Sequence, residues 1–353
     1  MNSKERLFKM LAHEPVDRLP VIPYIGNWGA KLAGYSLGEY HTDGKKMADA
    51  HIRAYEMHGL DAVIPQSDNY YIAQGLGVEV EIQEDATPVV KKVPLSTLDQ
   101  VGKIKVPNPY TDGRMPVYLE AIQILHDKLG KEVVIRTPGT GAFTLAGHMM
   151  GIDNFIMHLA TAEIEEDEDA QKRLLELIEL CTQSLLAFVK AALACGATIV
   201  QSGDSLSSIN MISPAIYKKY AFPSQAKFFS AMKELQKEKQ FATLLHVCGK
   251  NDFVAKDMMA TGCDCLEVDH ACDLKYYKEL SKESNTCIIG NLNPAGKLLS
   301  GTPDQVYEES MKVLQTAGLD NFFILGSGCE LALATPLENV KSMLRASKDF
   351  AGR

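Results

Sequence analysis

The chain has 353 residues, 46% of them hydrophobic and 23% charged, enough to bury a large core in one or two domains. Its net charge of −9 excludes a global field that would gather nucleic acid or an anionic membrane. Its apolar runs fall short of the roughly 20 residues of a membrane span, and the amino terminus lacks the apolar block of a signal peptide, so a cytoplasmic protein is expected.

In chain order, residues 1–11 read as a short amphipathic helix. Apolar runs then recur at 19–24, 62–66, 133–137, 197–202, 242–247, 263–268, 286–289 and 322–325, each followed by turn residues. Between them lie segments of helical period at 45–58, 115–129, 166–195, 214–237, 251–261, 274–284, 302–317 and 337–350. Gly196, Gly262 and Gly318 stand where helices should stop. Strands apolar on both faces and separated by helices imply a parallel sheet, and eight such units imply an α/β fold, a (β/α)8 TIM barrel. With no linker or repeat, residues 1–353 read as a single domain; the irregular stretch 68–112 holds an expected hairpin insertion, Val78-Glu-Val-Glu-Ile82 with Val89-Val-Lys-Lys-Val93.

The barrel places the chemistry at the carboxyl ends of its strands. Those ends carry Tyr24 and Trp28, Gln66 and Asp68, Arg136 and Thr140, Gln201 and Asp204, His246 and Cys248, Glu267, Asp269 and His270, Asn291 and Asn293, and Ser327 and Cys329. In an extended strand, residues i and i+2 share a face, so the imidazole of His246 and the thiol of Cys248 point together. Cys329, from another strand end, completes a Cys2His set with one position open, the pattern of a catalytic zinc. The competing reading is a histidine capping a core layer beside two buried thiols; three soft ligands on one rim favour the metal. The chain has eight cysteines, and without an export signal they read as reduced thiols. Cys263, Cys265 and Cys272, in and beside a strand-like run, read as packing.

At these residues the chain resembles the uroporphyrinogen decarboxylase superfamily. The landmarks are Glu14-Pro-Val-Asp-Arg-Leu-Pro-Val21, Gln66-Ser-Asp68 with Gly75-Leu-Gly77, Gly141-Ala-Phe-Thr-Leu145, Ser213-Pro214, Gly290-Asn-Leu-Asn-Pro294 with Gly301-Thr-Pro303, and Thr335-Pro-Leu-Glu-Asn-Val340. The decarboxylases hold porphyrinogen carboxylates with an arginine-rich segment after the first strand. Here Pro23-Tyr-Ile-Gly-Asn-Trp-Gly-Ala-Lys-Leu-Ala-Gly-Tyr35 has one lysine and no arginine, so the bidentate pairing is lost. Their last-strand Gly-His-Gly is Gly326-Ser327-Gly328, and their active-site tyrosine is matched by His148. Asp68 matches their catalytic aspartate.

Leu244-Leu-His-Val-Cys-Gly249, Gly326-Ser-Gly-Cys-Glu330 with Ala334-Thr-Pro336, and Gly113-Arg-Met-Pro-Val-Tyr-Leu-Glu-Ala-Ile122 instead resemble the zinc-dependent, cobamide-linked methyltransferase branch, which includes methylcobamide:coenzyme M methyltransferases. The resemblance implies Zn2+ on His246, Cys248 and Cys329. It implies Asp269, or Glu267 in its place, as a fourth ligand displaced by substrate. Asp68, Asp204, His148 and Gln201 are the candidate catalytic residues; Tyr24, Trp28 and Asn291 are candidates for cofactor contact. The implied reaction moves a methyl group between a cobalamin-type corrinoid and a small substrate, a thiol acceptor such as coenzyme M activated as a zinc thiolate. Demethylation of a methoxylated aromatic compound stays open, with Tyr24, Trp28, Tyr70, Tyr71 and Phe143 as a wall. A decarboxylase-type lyase and a non-catalytic metal-binding module are the remaining alternatives. Because the chain has no cobalamin motif Asp-x-His-x-x-Gly, the corrinoid is expected on a separate carrier protein that docks transiently. A homodimer is a further expectation.

Overall fold

The computed structural model describes residues 1–318 and 322–352. After the amino-terminal helix Ser3–Leu11, the chain enters an extended segment over 20–24 and then β1 (Ala62–Val63). The hairpin strands β2 (Glu79–Glu81) and β3 (Val89–Lys92) follow, then β4 (Val134–Ile135), β5 (Ile199–Gly203) and β6 (Ala242–His246). The last strands are β7 (Cys265–Glu267), β8 (Cys287–Leu292) and β9 (Phe323–Ser327). Strands β5 to β9 pair in sequence order, all parallel. Arg136 bridges to Ile199, β4 pairs with β1, and the Asp61 N–H donates to Val21 O. Val21 bridges to Leu325, so the ring closes on itself as a TIM barrel of eight parallel segments. All five residues of β5, β6 and β9 are buried, as strands filled inside and covered outside must be.

The opening Glu14–Val21 motif seals the barrel floor. Asp61, fully buried at the start of β1, accepts from Arg6 at 2.6 Å, from Arg18 at 2.7 Å and from the Val21 N–H at 2.7 Å. Arg6 also holds Asp17 at 2.7 Å and keeps that carboxyl down at about 2. These charges tie the first helix to the first strand, at the face of the barrel that carries stability and not chemistry.

The helices Gly44–His58, Met115–Leu129, Glu168–Ala194, Leu274–Ser284, Pro303–Ala317 and Leu337–Ala351 form the outer layer. Glu168–Ala194 is long and apolar enough to cross a membrane by length and composition, but its inner face, including Leu177, Cys181 and Phe188, is buried in the fold. The segment 214–237 is not one helix: a π-helical turn, Tyr217–Ala221, precedes Phe222–Gln236. Pro223 has no N–H and crowds the preceding turn, which forces this adjustment. The expected insertion is present as the antiparallel pair β2–β3, and Thr87 in its connection reaches over the barrel mouth. Cys263, Cys265 and Cys272 are buried.

Candidate metal centre and pocket

β6 ends at His246, which is buried, and two residues on comes Cys248. Gly249 then turns the chain at φ +86°, where a Cβ would strike Asn210; only glycine suits both demands. Its N–H donates to Asp269 Oδ2 at 2.8 Å, which pins the turn. Cys329 arrives from the loop after β9. His246 Nε2 lies 3.1 Å from Cys248 Sγ, Cys248 Sγ lies 3.8 Å from Cys329 Sγ, and the donor atoms of all three fall within 4.8 Å of one another. Two sulfurs each about 2.3 Å from a tetrahedral zinc would stand roughly 3.8 Å apart, so the donor set fits that ion. The same separation is far too long for a disulfide.

Below the trio is a buried charge chain. Glu267, at the end of β7, takes both guanidinium nitrogens of Arg136 at 2.7 Å and lies 3.1 Å from His246 Nδ1, close but out of line. Burial opposes ionisation of Glu267, but Arg136 outweighs it and holds the carboxyl down at about 2. Arg136 also donates to Gln201 Oε1 at 2.5 Å and sits 4.6 Å from the centre of the Tyr24 ring. Burial disfavours charge on His246 as well, yet the adjoining Cys329 thiol and the Glu267 carboxylate outweigh it and push the imidazole up to about 10. Hydrogen bonding between the two thiols pulls Cys248 down and pushes Cys329 up. Ser205 Oγ, 3.2 Å from Cys248 Sγ, adds a further polar neighbour.

A pocket of about 290 Å³ opens above these ligands. Tyr24, Asp68, His148 and Gln201 line it together with His246, Cys248 and Cys329, so seven of the sequence candidates meet in one place. Asp68 is not a free base: Arg114 grips both its oxygens at 2.8 and 2.7 Å, and Ser67 and the Tyr70 N–H donate to it at 2.7 and 2.8 Å. Burial works against this carboxylate, but those donors hold it below its ordinary value. Burial pushes His148 down to about 4, leaving a neutral imidazole tilted at 47° against Tyr70 with ring centres 4.6 Å apart, and with Nδ1 unpartnered.

Four expected residues lie elsewhere. Asp204 is fully buried outside the pocket, where it accepts from the Thr144 N–H at 2.7 Å and from Gln225 at 2.9 Å. That makes it the anchor of helix Ala142–Met150. Trp28 is spent on packing, stacked on His58 with its indole N–H on Thr335 O at 2.8 Å. Asn291 turns to the backbone oxygens of Asp269 and Cys272, 3.3 Å from each. Asp269 does not join the ligand group: its oxygens hold the Gly249 and Ala271 N–H groups at 2.8 and 2.9 Å. Tyr71 and Phe143 are core residues, packed on Tyr118 and Phe155.

The sequence reading gave no role to Arg114 or Glu330. Each stands inside a quoted motif, so the signal was present. Glu330 lines the pocket beside Cys329, accepts from the Asn27 N–H at 2.8 Å, and is pushed up to about 7 by burial.

The chain and its fold have counterparts among known proteins. The methylcobamide:CoM methyltransferase MtbA of Methanosarcina acetivorans is 32% identical over 352 residues, covering 98% of both chains. MtaA of Methanosarcina barkeri, of the same description, is 27% identical with the same coverage. A uroporphyrinogen decarboxylase of Saccharophagus degradans is 25% identical over 92% of this chain and 91% of its own. A solved methyltransferase from Methanosarcina mazei superposes with a TM-score of 0.87 at 26% identity, over 99% of each chain. The profile of the uroporphyrinogen decarboxylase (URO-D) family matches residues 2–350. With the profile and a 32%-identical relative both spanning nearly the whole chain, this protein belongs to the URO-D family.

Proposed function

We propose that the protein is a zinc- and corrinoid-dependent methyltransferase that passes a methyl group from a corrinoid, carried by a separate protein, to a small thiol. The observation that carries this reading is the His246–Cys248–Cys329 donor group with one side open to the pocket. The names of the methyltransferase relatives support the corrinoid half. A cytoplasmic setting suits eight cysteines that form no disulfide.

His246, Cys248 and Cys329 would hold the zinc; Asp269 is left out because backbone donors occupy it. Zinc, when bound, supplies a Lewis acid that lowers the pKa of the substrate thiol so that it reacts as a thiolate. The carried corrinoid would supply the methyl group to the thiol sulfur and keep the electron pair of the bond it gives up, and the thiol proton would leave to water. Glu267 stands 3.1 Å from His246 Nδ1, where a small rotation of the ring would let it accept that N–H, as outer carboxylates do for ligating histidines. Arg136 balances the charge of Glu267. The walls of the pocket orient the rest of the thiol.

Demethylation of an aromatic ether is disfavoured, because of the five proposed wall aromatics only Tyr24 and Tyr70 reach the pocket. A decarboxylase is disfavoured because no arginine or lysine lines it among the described residues. The test is metal analysis and methylcobalamin:thiol transfer on the purified protein beside His246→Ala and Cys248→Ala. Wild type should carry about one zinc per chain and be active, and both variants should lose metal and turnover together. Full activity in a zinc-free variant would refute the proposal.

A further inference from the structure

The charges around the pocket limit what the far end of the substrate can be. Asp68 and Glu330 both line it, and no lysine or arginine does among the described residues. The two arginines behind its wall are committed: Arg114 to both oxygens of Asp68, Arg136 to both oxygens of Glu267. Glu330 has a backbone N–H for a partner and no ion pair with a described residue. His148, the one basic side chain here outside the ligand group, is kept neutral by burial. Tyr70 presents a ring at the same wall.

Resting on the methyl-transfer reading above, we propose that the thiol accepted at this site has an uncharged or cationic tail, and that an anionic tail is rejected. Asp68, Glu330, Tyr70 and His148 line the same pocket as the cysteine pair, so a thiol held there by its sulfur has its other end within that lining. An anion there leaves water without gaining a free cation, beside an Asp68 carboxylate already neutralised by Arg114 and the carboxyl of Glu330. An ammonium meets the carboxyl of Glu330, which has no ion pair with a described residue, and an aromatic face, and a hydroxyl finds acceptors in the same carboxyl groups. Specificity of this kind comes from what the site repels. Coenzyme M, the thiol in the relatives' names, ends in a sulfonate, so this chain would differ from them in substrate.

The test uses the zinc-loaded protein, methylcobalamin, and three thiols of equal length: cysteamine, 2-mercaptoethanol and 2-mercaptoethanesulfonate. Binding of their three S-methyl products is measured by calorimetry. The thioethers have no thiol to ionise, so their order reports the tail alone. The amine and alcohol products should bind at least about tenfold more tightly than the sulfonate, with kcat/KM in the same order. A sulfonate product that binds as well as the others overturns the inference, whatever the turnover. Methylation of none of the thiols, with the binding order intact, would refute the methyl-transfer reading and leave the tail preference standing. Glu330→Gln should shrink the discrimination several-fold with zinc content unchanged; an unchanged ratio would overturn Glu330 as its source.

Discussion

Glu267 shows how much one buried residue carries. It compensates a guanidinium with no exposed surface and stands against the outer nitrogen of a proposed metal ligand. Replacing it by glutamine keeps the shape but leaves the Arg136 charge uncompensated in the core. Losing one partner of a buried pair costs about 3–5 kcal/mol. Loosening the outer partner of a ligating histidine costs about 10–100-fold in metal affinity. Glu267→Gln should therefore show both losses, read by denaturant unfolding and by zinc competition against a chelator. If the variant binds zinc as tightly as wild type, the link from Glu267 to the metal fails, even if the stability loss appears.

At the scale of elements, Asp204 separates anchoring from chemistry. Its carboxylate satisfies a first-turn N–H of helix Ala142–Met150 and the Gln225 amide, and it does not line the pocket above His246, Cys248 and Cys329. Asp204→Ala strands two buried donors, which should cost about 2–3 kcal/mol. Turnover per folded molecule should stay at the wild-type level, checked by normalising activity to zinc content; a loss of kcat in folded, zinc-loaded protein would return Asp204 to the catalytic set. The same helix shows where sequence pattern runs out. All nine of its residues are buried, so it has no polar stripe and no 3.6-residue period to detect. The eight barrel segments were legible because each is an apolar run bounded by turns, and the hairpin because its strands alternate. The proposed metal ligands were legible because His246 and Cys248 are two apart on one strand. Arg136 and Glu267, although placed on the rim, lie 131 residues apart and meet only across the closed barrel, so no local pattern pairs them.

The whole molecule has an acid weakness set by its histidines. Of nine, His41, His51, His58, His148 and His246 of the proposed metal centre are buried, and desolvation pushes the first four down to about 4, 3, 3 and 4. The first three lie in or flank the helices Leu37–Thr42 and Gly44–His58, against the first strands. An unfolded imidazole takes its proton near 6.5, whereas these stay neutral in the folded state until far lower pH. Across that window the unfolded chain holds more protons, so stability is full above about pH 6.5 and falls as the pH drops. Each group costs about 2 kcal/mol by roughly pH 5, and the four together about 8 kcal/mol, comparable to the whole stability of a typical domain. Glu330 and Asp204, both raised by burial, work in the opposite sense by taking up protons in the folded state, and offset part of the loss. Tm should therefore fall steeply between about pH 6.5 and 5 and change little above that range. Loss of zinc at low pH would also lower Tm, so the measurement belongs on the metal-free chain as well. A similar drop there assigns the effect to the buried histidines, and four imidazole resonances should fail to titrate as long as the fold persists. A metal-free Tm that stays flat across this window would place the acid weakness at the metal centre instead.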